Sequence, residues 1–597
     1  RALRRGVPLD RWAATVFGLI VARFATLWAN ALTLRPDGLW AGHEYIWSDW
    51  PTHLGIVTNF AYGDNVPPEH PLFAGLPLAY HYLSDLTPAA FVVLGLSPID
   101  ALPLHSFVLS VVVAASIWAF VRRLSGRGSV ATLGLVLFLF GGSPGWLATV
   151  ADVVRSGDLV GTLLNQPWDY AAQKDLHIRW FNPYLAFLMS QRAYLYGLPL
   201  MMLALTLLGL AARRAEPVSG APWVATTWRR ALASGRLRSF ALAGVVAGLL
   251  PLSHLPTLLA MAILVLPLAL LLAPRPLDIL RAPWGRGSVA WVGWLVFGLI
   301  WIVVSLPQLA SQLGGGTGAL SAFRVQLGWV AGEPPYFDPW IVFWLKNLGL
   351  FGPLILVGLA MPFLGRRIVP PRSNRLLVAF QAIFVVANIF VFQPWDWDNH
   401  KILTVWFLSA AILVAALLGW AWRRWRAPLA RAAIGLVVTS LIASPALEHL
   451  AMLEGRTQYR MLTSDELALA TAVREATPPR TLVVTGMGHH DPVMMLAGRR
   501  LLMGYWGQLW VSGIRYETRQ AEVAAIYAGG PTAQALIERY GVGAVVIGPD
   551  ERAALGANEA WFAEHYPVIA EVGSWRVYGT GGRASRAIQS QPGNQSF

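Results

Sequence analysis

The sequence predicts a polytopic α-helical membrane protein with about eleven transmembrane helices and a small extracytoplasmic α/β domain at its C-terminal end. Three observations carry this. Hydrophobic residues make up 55% of the 597 and charged residues only 13%, against about 25% in an ordinary soluble domain. Apolar stretches of about the 20 residues a bilayer-crossing helix needs recur from residue 12 to residue 449. Arg-rich and acid-rich connections alternate between them, the pattern that fixes orientation in a membrane. This composition excludes a soluble enzyme, a disordered chain and a fibrous repeat. The net charge of +14 would suggest nucleic acid in a soluble protein, but here it belongs to the connections, and no nucleic-acid partner is expected. The absence of cysteine excludes disulfides, thiol catalysis and cysteine metal sites. Because the sequence starts at Arg1 and not at Met, it leaves the true N-terminus and any targeting peptide unread.

The expected spans run near 12–34, 102–121, 129–149, 185–212, 239–255, 256–273, 288–310, 339–365, 376–393, 402–422 and 431–449. The stretch 86–99 is apolar but short and carries Pro88 and Pro98, so it reads as an interfacial or re-entrant element. With the N-terminus inside, the cytoplasmic segments hold Arg1, Arg4 and Arg5; Arg122, Arg123 and Arg127; Arg213, Arg214, Arg229, Arg230, Arg236 and Arg238; Arg275, Arg281 and Arg286; Arg366, Arg367, Arg372 and Arg375; and Arg423, Arg424, Arg426 and Arg431. The opposite segments hold most of the acids, among them Asp64, Glu69, Asp152, Asp158, Asp169, Asp175, Glu333 and Asp338. Every histidine, and Lys174, Lys346 and Lys401, fall on that same external side. Arginine alone would serve topology, whereas His and Lys titrate or bind phosphate, so the chemistry is expected to face outward.

Residues 1–454 are therefore read as the transmembrane domain, with a large first external loop at 35–101, and 455–579 as the external α/β domain. In the latter, Ser464-Asp465-Glu466 carries helix-capping chemistry and the runs 481–485 and 543–548 read as buried strands. Residues 491–497, 515–528, 532–540 and 551–565 read as helices, and 568–571 and 575–578 as closing strands. The segment Gly486-Met-Gly-His-His490 follows a strand but lacks the spacing of a phosphate loop. Residues 580–597, rich in Gly, Ser and Gln, read as a flexible tail.

Two polar clusters stand out. The first loop contains His43-Glu44-Tyr45-Ile46-Trp47-Ser48-Asp49-Trp50-Pro51-Thr52-His53 and, further on, Tyr80-His81-Tyr82-Leu83-Ser84-Asp85. A helix starting after Pro51 would make Asp49 its N-cap and set His53 one turn on, near the same face. Asp49 is thus either a cap or a general base held at the membrane surface. The second cluster, Gln393-Pro394-Trp395-Asp396-Trp397-Asp398-Asn399-His400-Lys401, lies between two apolar stretches. It reads either as an interfacial belt with an Asp–Lys pair or as a binding site. Asp396, Asp398 and His400 are possible ligands of a divalent metal, since carboxylates and imidazole bind such ions, although their spacing matches no strong signature. Arg192 opens an apolar stretch, where an ionisable group is a functional suspect, and Arg23 lies inside the first span. The candidate set is Asp49 and His53 for catalysis, and Glu44, His81, Asp85, Arg192, His254, Asp398, Asn399, His400 and Lys401 for substrate binding.

With these residues in place, the chain resembles the GT-C superfamily of membrane glycosyltransferases. Trp47-Ser48-Asp49-Trp50-Pro51-Thr52-His53 stands where that superfamily keeps an acidic motif after the first span, and Gly75-Leu-Pro-Leu-Ala-Tyr80-His81-Tyr82 looks like the stretch that follows it. Trp397-Asp398-Asn399-His400-Lys401 is similar to a late-loop motif in largely uncharacterised bacterial members. Leu536-Ile-Glu-Arg-Tyr540-Gly541-Val-Gly-Ala-Val-Val-Ile-Gly548 matches their C-terminal pattern. Many members have two adjacent acids in the first loop; here Ser48-Asp49 stands in their place. The resemblance implies transfer of a sugar, with inversion, from a polyprenyl-phosphate donor to an extracytoplasmic glycan, lipid or protein acceptor at the bacterial cytoplasmic membrane. It leaves two alternatives from other classes: a non-catalytic scaffold subunit of the same fold, and a transporter, which should carry acids or broken helices at mid-membrane.

Overall fold

A computed structural model describes residues 10–166, 170–171, 173–213, 236–273, 286–313, 323–453, 455 and 457–582. Arg1, Arg4, Arg5, Asp169, Arg214, Arg229, Arg230, Arg275, Arg281 and the tail from residue 583 lie outside the described residues, as do the side chains of Lys174, Arg213, Arg236 and Arg286. The chain divides into two compact units. One comprises Arg1–Leu27, Ser106–Leu309 and Phe323–Thr457, the other Trp28–His105, Ala310–Ala322 and Gln458–Phe597.

Among the described residues, seven helices are long and apolar enough to cross a membrane: Arg11–Ala29, Pro98–Ser125, Tyr194–Ala212, Leu255–Leu272, Trp291–Ala310, Asp396–Arg424 and Pro428–Leu453. The pair Trp340–Leu348 and Phe351–Ala360, bent by 102°, makes an eighth if it counts as one span. This is fewer than the eleven expected. Gly128–Phe140 and Leu237–Ser253 are apolar but shorter, and the stretch at 376–393 forms the helix Pro371–Ala387 followed by a strand, Phe390–Val391, that pairs with Arg324–Val325. The 86–99 stretch holds the end of the short helix Leu83–Val93 and the start of Pro98–Ser125.

Burial sorts the spans of the first unit. In the apolar stretch of Asp396–Arg424, 94% of the residues are buried, and the apolar sequence continues around the whole helix, as a central element requires. In the apolar stretch of Trp291–Ala310 only 22% of the residues are buried, and Leu295, Leu299, Ile302, Val303 and Leu306 are exposed on one side. In water such a row would be a liability; against lipid it is the stable outward face. Arg23, half-buried in the first span, donates from Nε to His449 Nδ1 at 3.2 Å and from Nη2 to the His449 carbonyl at 3.2 Å, so it joins two spans of the same unit.

The second unit unites the first loop with the C-terminal segment, so the boundary expected at 454 does not separate them. The reason is a shared sheet. Leu32–Arg35 and Gly38–Ala41 form a hairpin, and Gly38–Ala41 also pairs antiparallel with Tyr459–Thr463. Gly38 has φ +138, and a Cβ there would stand 1.9 Å from the Leu462 carbonyl oxygen, so only glycine fits. The remaining sheet has five strands in the order Arg500–Leu501, Leu482–Val484, Ala544–Ile547, Trp575–Gly579 and Val568–Val572; the first three are parallel. Thr463 and Glu466 form the capping box that opens helix Ser464–Ala476. The helix expected over 551–565 is two pieces, Pro549–Ala554 and Glu559–His565, interrupted at Gly556 with φ +59.

Candidate active site

Asp49 sits within helix Glu44–Tyr62, not at its N-terminus. The helix starts before Pro51 because His43 supplies the cap: its Nδ1 accepts the Tyr45 N–H at 3.3 Å. Burial pushes the His43 imidazole down to about 3, which keeps that acceptor unprotonated near neutral pH. The N-cap reading of Asp49 is therefore corrected; it is a half-buried carboxylate in the second turn, with exposed Glu44 at the helix start. The opposite side of the helix packs tightly against the C-terminal segment. A Cβ on Gly55 would lie 2.0 Å from Met494 Sδ, so a larger residue there would force the Met494 side chain to move.

One turn beyond Asp49, His53 is buried, and its Nδ1 lies 3.0 and 3.1 Å from the two oxygens of Asp85. Asp85 is fully buried in the first turn of helix Leu83–Val93, where helix N-terminal amides favour a negative charge. His81 is buried, its ring stacked on Tyr80 at 4.1 Å, and Tyr80 lies 6.0 Å from the His53 ring. The loop thus joins His53 to Asp85 and, through Tyr80, brings His81 near His53. Asp85→Asn is expected to cost about 1–3 kcal/mol by breaking a buried charge-assisted hydrogen bond. Thermal unfolding of the purified variant checks this, and an unchanged midpoint would remove the pair from the account.

The other candidates belong to the first unit. Lys401 Nζ is 2.9 Å from Asp398 Oδ2; their side chains are 14% and 3% exposed. Asn399 bonds backbone carbonyls of Ala387 and Phe390, which closes the turn at the head of the central helix. His400 is fully buried in an aromatic cage, with ring centroids of Trp180 and Phe187 at 4.5 Å and of Trp329 and Trp397 at 5.4 Å. The metal site considered for Asp396, Asp398 and His400 is not assembled. Asp398 is engaged by Lys401, Asp396 accepts from Gln326 at 3.0 Å, and His400 is enclosed by rings. No group of three or more His, Cys, Asp or Glu among the described residues is arranged to hold a metal ion.

Arg192 and His254 are fully buried. The His254 ring lies 3.9 Å from that of Tyr194, whose hydroxyl donates to the Lys401 carbonyl, so His254 and Lys401 meet through a tyrosine that sequence reasoning did not single out. A separate cleft of about 550 Å³ in the same unit is lined by His177, Tyr336, Asp338 and Lys346 and includes none of the candidates. Burial alone would raise the Asp338 carboxyl, but Lys346 and His177 hold it below its ordinary value.

The residues most plainly missed are His489 and His490. His489 Nε2 is 2.8 Å from the Ser48 carbonyl and His490 Nε2 is 2.8 Å from the Trp47 carbonyl. A signal existed in the sequence: a proline inside a helix leaves a carbonyl in need of a donor.

The architecture has known counterparts. The oligosaccharyltransferase of Archaeoglobus fulgidus, tethered to an acceptor peptide containing the NVT sequon, gives a TM-score of 0.50 at 12% identity over 96% of this chain and 74% of its own. AglB, an oligosaccharyltransferase from Archaeoglobus fulgidus in complex with an inhibitory peptide and a dolichol-phosphate, gives 0.49 at 11% identity over 94% and 72%. ArnT from Cupriavidus metallidurans bound to undecaprenyl phosphate gives 0.47 at 13% identity over 96% and 99%. No family model and no curated protein matches the sequence. The fold is similar to that of the Archaeoglobus fulgidus oligosaccharyltransferase.

Proposed function

We propose that this chain is a membrane glycosyltransferase that moves a sugar from a polyprenyl-phosphate carrier to an extracytoplasmic acceptor with inversion. The observation that carries the reading is Asp49: in a GT-C fold, a half-buried carboxylate freed from capping duty, on a helix fixed by packing on its far side. A sugar hydroxyl is a weak nucleophile near neutral pH. Asp49 takes its proton as the oxygen attacks the anomeric carbon; the bond from that carbon to the phosphate oxygen breaks, and polyprenyl phosphate leaves as an anion. His53, fixed by Asp85, orients the acid end of the site. Lys401 is assigned to the carrier phosphate, as a compact cation that offsets the phosphate charge. The test is transfer of label from a panel of radiolabelled undecaprenyl-phosphate hexoses and pentoses to a cell-envelope extract by the full chain in nanodiscs. No transfer with any donor would defeat the reading.

A scaffold of the same fold is the second reading, favoured by one observation: Lys401 is already satisfied by Asp398, and His400 is enclosed. The proposed orientation has the N-terminus inside and the C-terminal segment outside. A reporter fused after Gly579 is expected to behave as extracytoplasmic, and a cytoplasmic signal would overturn the topology.

A further inference from the structure

Helix Glu44–Tyr62 contains Pro51 well past its first turn. A helical residue donates its N–H to the carbonyl four positions back, so Pro51 leaves the Trp47 carbonyl without its helical donor. The pyrrolidine ring also crowds that carbonyl and opens the ladder. Two side chains from more than 440 residues further along the chain meet this turn: His490 Nε2 reaches the Trp47 carbonyl and His489 Nε2 the Ser48 carbonyl, each at 2.8 Å. Because carbonyls only accept, each Nε2 carries the proton, which fixes the tautomer.

The rings are held as well as bonded. Trp47 lies 5.2 Å from His489 and 4.5 Å from His490; the two imidazoles are 4.4 Å apart, and Tyr505 lies 4.6 Å from His489. The root of their loop is clamped, since Glu551 accepts the N–H of Gly486 and of Gly548 at 2.9 Å each. Burial lowers His489, and its bond to the Ser48 carbonyl and the charge of Asp49 offset this only in part. His490 is lowered to about 4 by burial and faces His489.

We propose that His489 and His490 are positioning residues for Asp49: His490 replaces the backbone bond that Pro51 removes, His489 bonds the next carbonyl, and together they fix the turn from which the carboxylate is presented. This rests on the reading of Asp49 as the base. His490→Phe keeps a ring and removes the donor, whereas His490→Gln keeps an N–H donor. In nanodiscs, with the undecaprenyl-phosphate sugar found active for the unaltered chain, His490→Phe is expected to lower kcat at least tenfold with donor KM within twofold. His490→Gln is expected to recover most of the rate. Equal losses in the two variants, or a fall in thermal stability with kcat unchanged, would overturn the proposal. A second measurement needs no turnover: nitrogen NMR of ¹⁵N-histidine-labelled full chain, with His489 assigned by substitution. The expected result is an Nε2–H tautomer for His489 whose signal moves on Asp49→Asn. A signal indifferent to that change would also overturn the proposal. If the unaltered chain moves no sugar, the functional reading fails while this arm still decides the positioning.

Discussion

Asp49→Asn is expected to slow sugar transfer by at least a hundredfold while leaving the protein folded. The size follows from general base catalysis, which contributes about 10²–10⁴-fold. Retention of the fold follows from the geometry. Asp49 does not cap the helix; His43 does. Its helix is held on the other side by the close approach of Gly55 to Met494. Asparagine has the same shape and loses only the charge and the proton-accepting oxygen. The check is initial rate beside thermal midpoint for the two proteins. A rate within threefold of the unaltered chain would remove Asp49 from catalysis.

Lys401→Met is expected to destabilise the protein strongly, by about 3–5 kcal/mol, since it strands the nearly buried Asp398 without its partner. The double variant Lys401→Met with Asp398→Asn removes both charges and is expected to regain most of that stability. The pair then separates two roles that one substitution confounds. If Lys401 serves only Asp398, the refolded double variant binds undecaprenyl phosphate as the unaltered chain does. If Lys401 also meets the carrier phosphate, the double variant is stable yet binds at least tenfold more weakly, the scale of one charge-assisted contact. Binding in nanodiscs, read beside the unfolding midpoint, gives the answer, and normal affinity would end the phosphate assignment.

Much of this architecture was legible in the residues, and the gaps have physical causes. Apolar length alone located a helix in each expected span, because a bilayer admits little else. Whether that helix is straight or long enough is decided by packing, so the bend between Trp340–Leu348 and Phe351–Ala360 and the short Gly128–Phe140 were not foreseen. In the C-terminal segment, the strands Leu482–Val484 and Ala544–Ile547 and the capping box at Thr463 announce themselves locally. The hairpin at 32–41 does not, because its third strand, Tyr459–Thr463, is remote in sequence. The same distance hid His489 and His490, and local propensity misled at Asp49: proline suits a first turn, but His43 had already started the helix. Candidate residues were recognisable by type; which of them stand together was not.

The strand that pairs with Gly38–Ala41 also sets a clock on biosynthesis. Arg460, whose carbonyl accepts from Trp47, lies 413 residues after it in the chain. At about 5–20 residues per second, the ribosome delivers that partner roughly 20–80 s after the first loop has been made. Throughout that interval the edge of the hairpin is unpaired and the turn before Asp49 lacks the histidines that complete it. A nascent or prematurely terminated chain therefore lacks these contacts, which form only once the last quarter of the protein has been made.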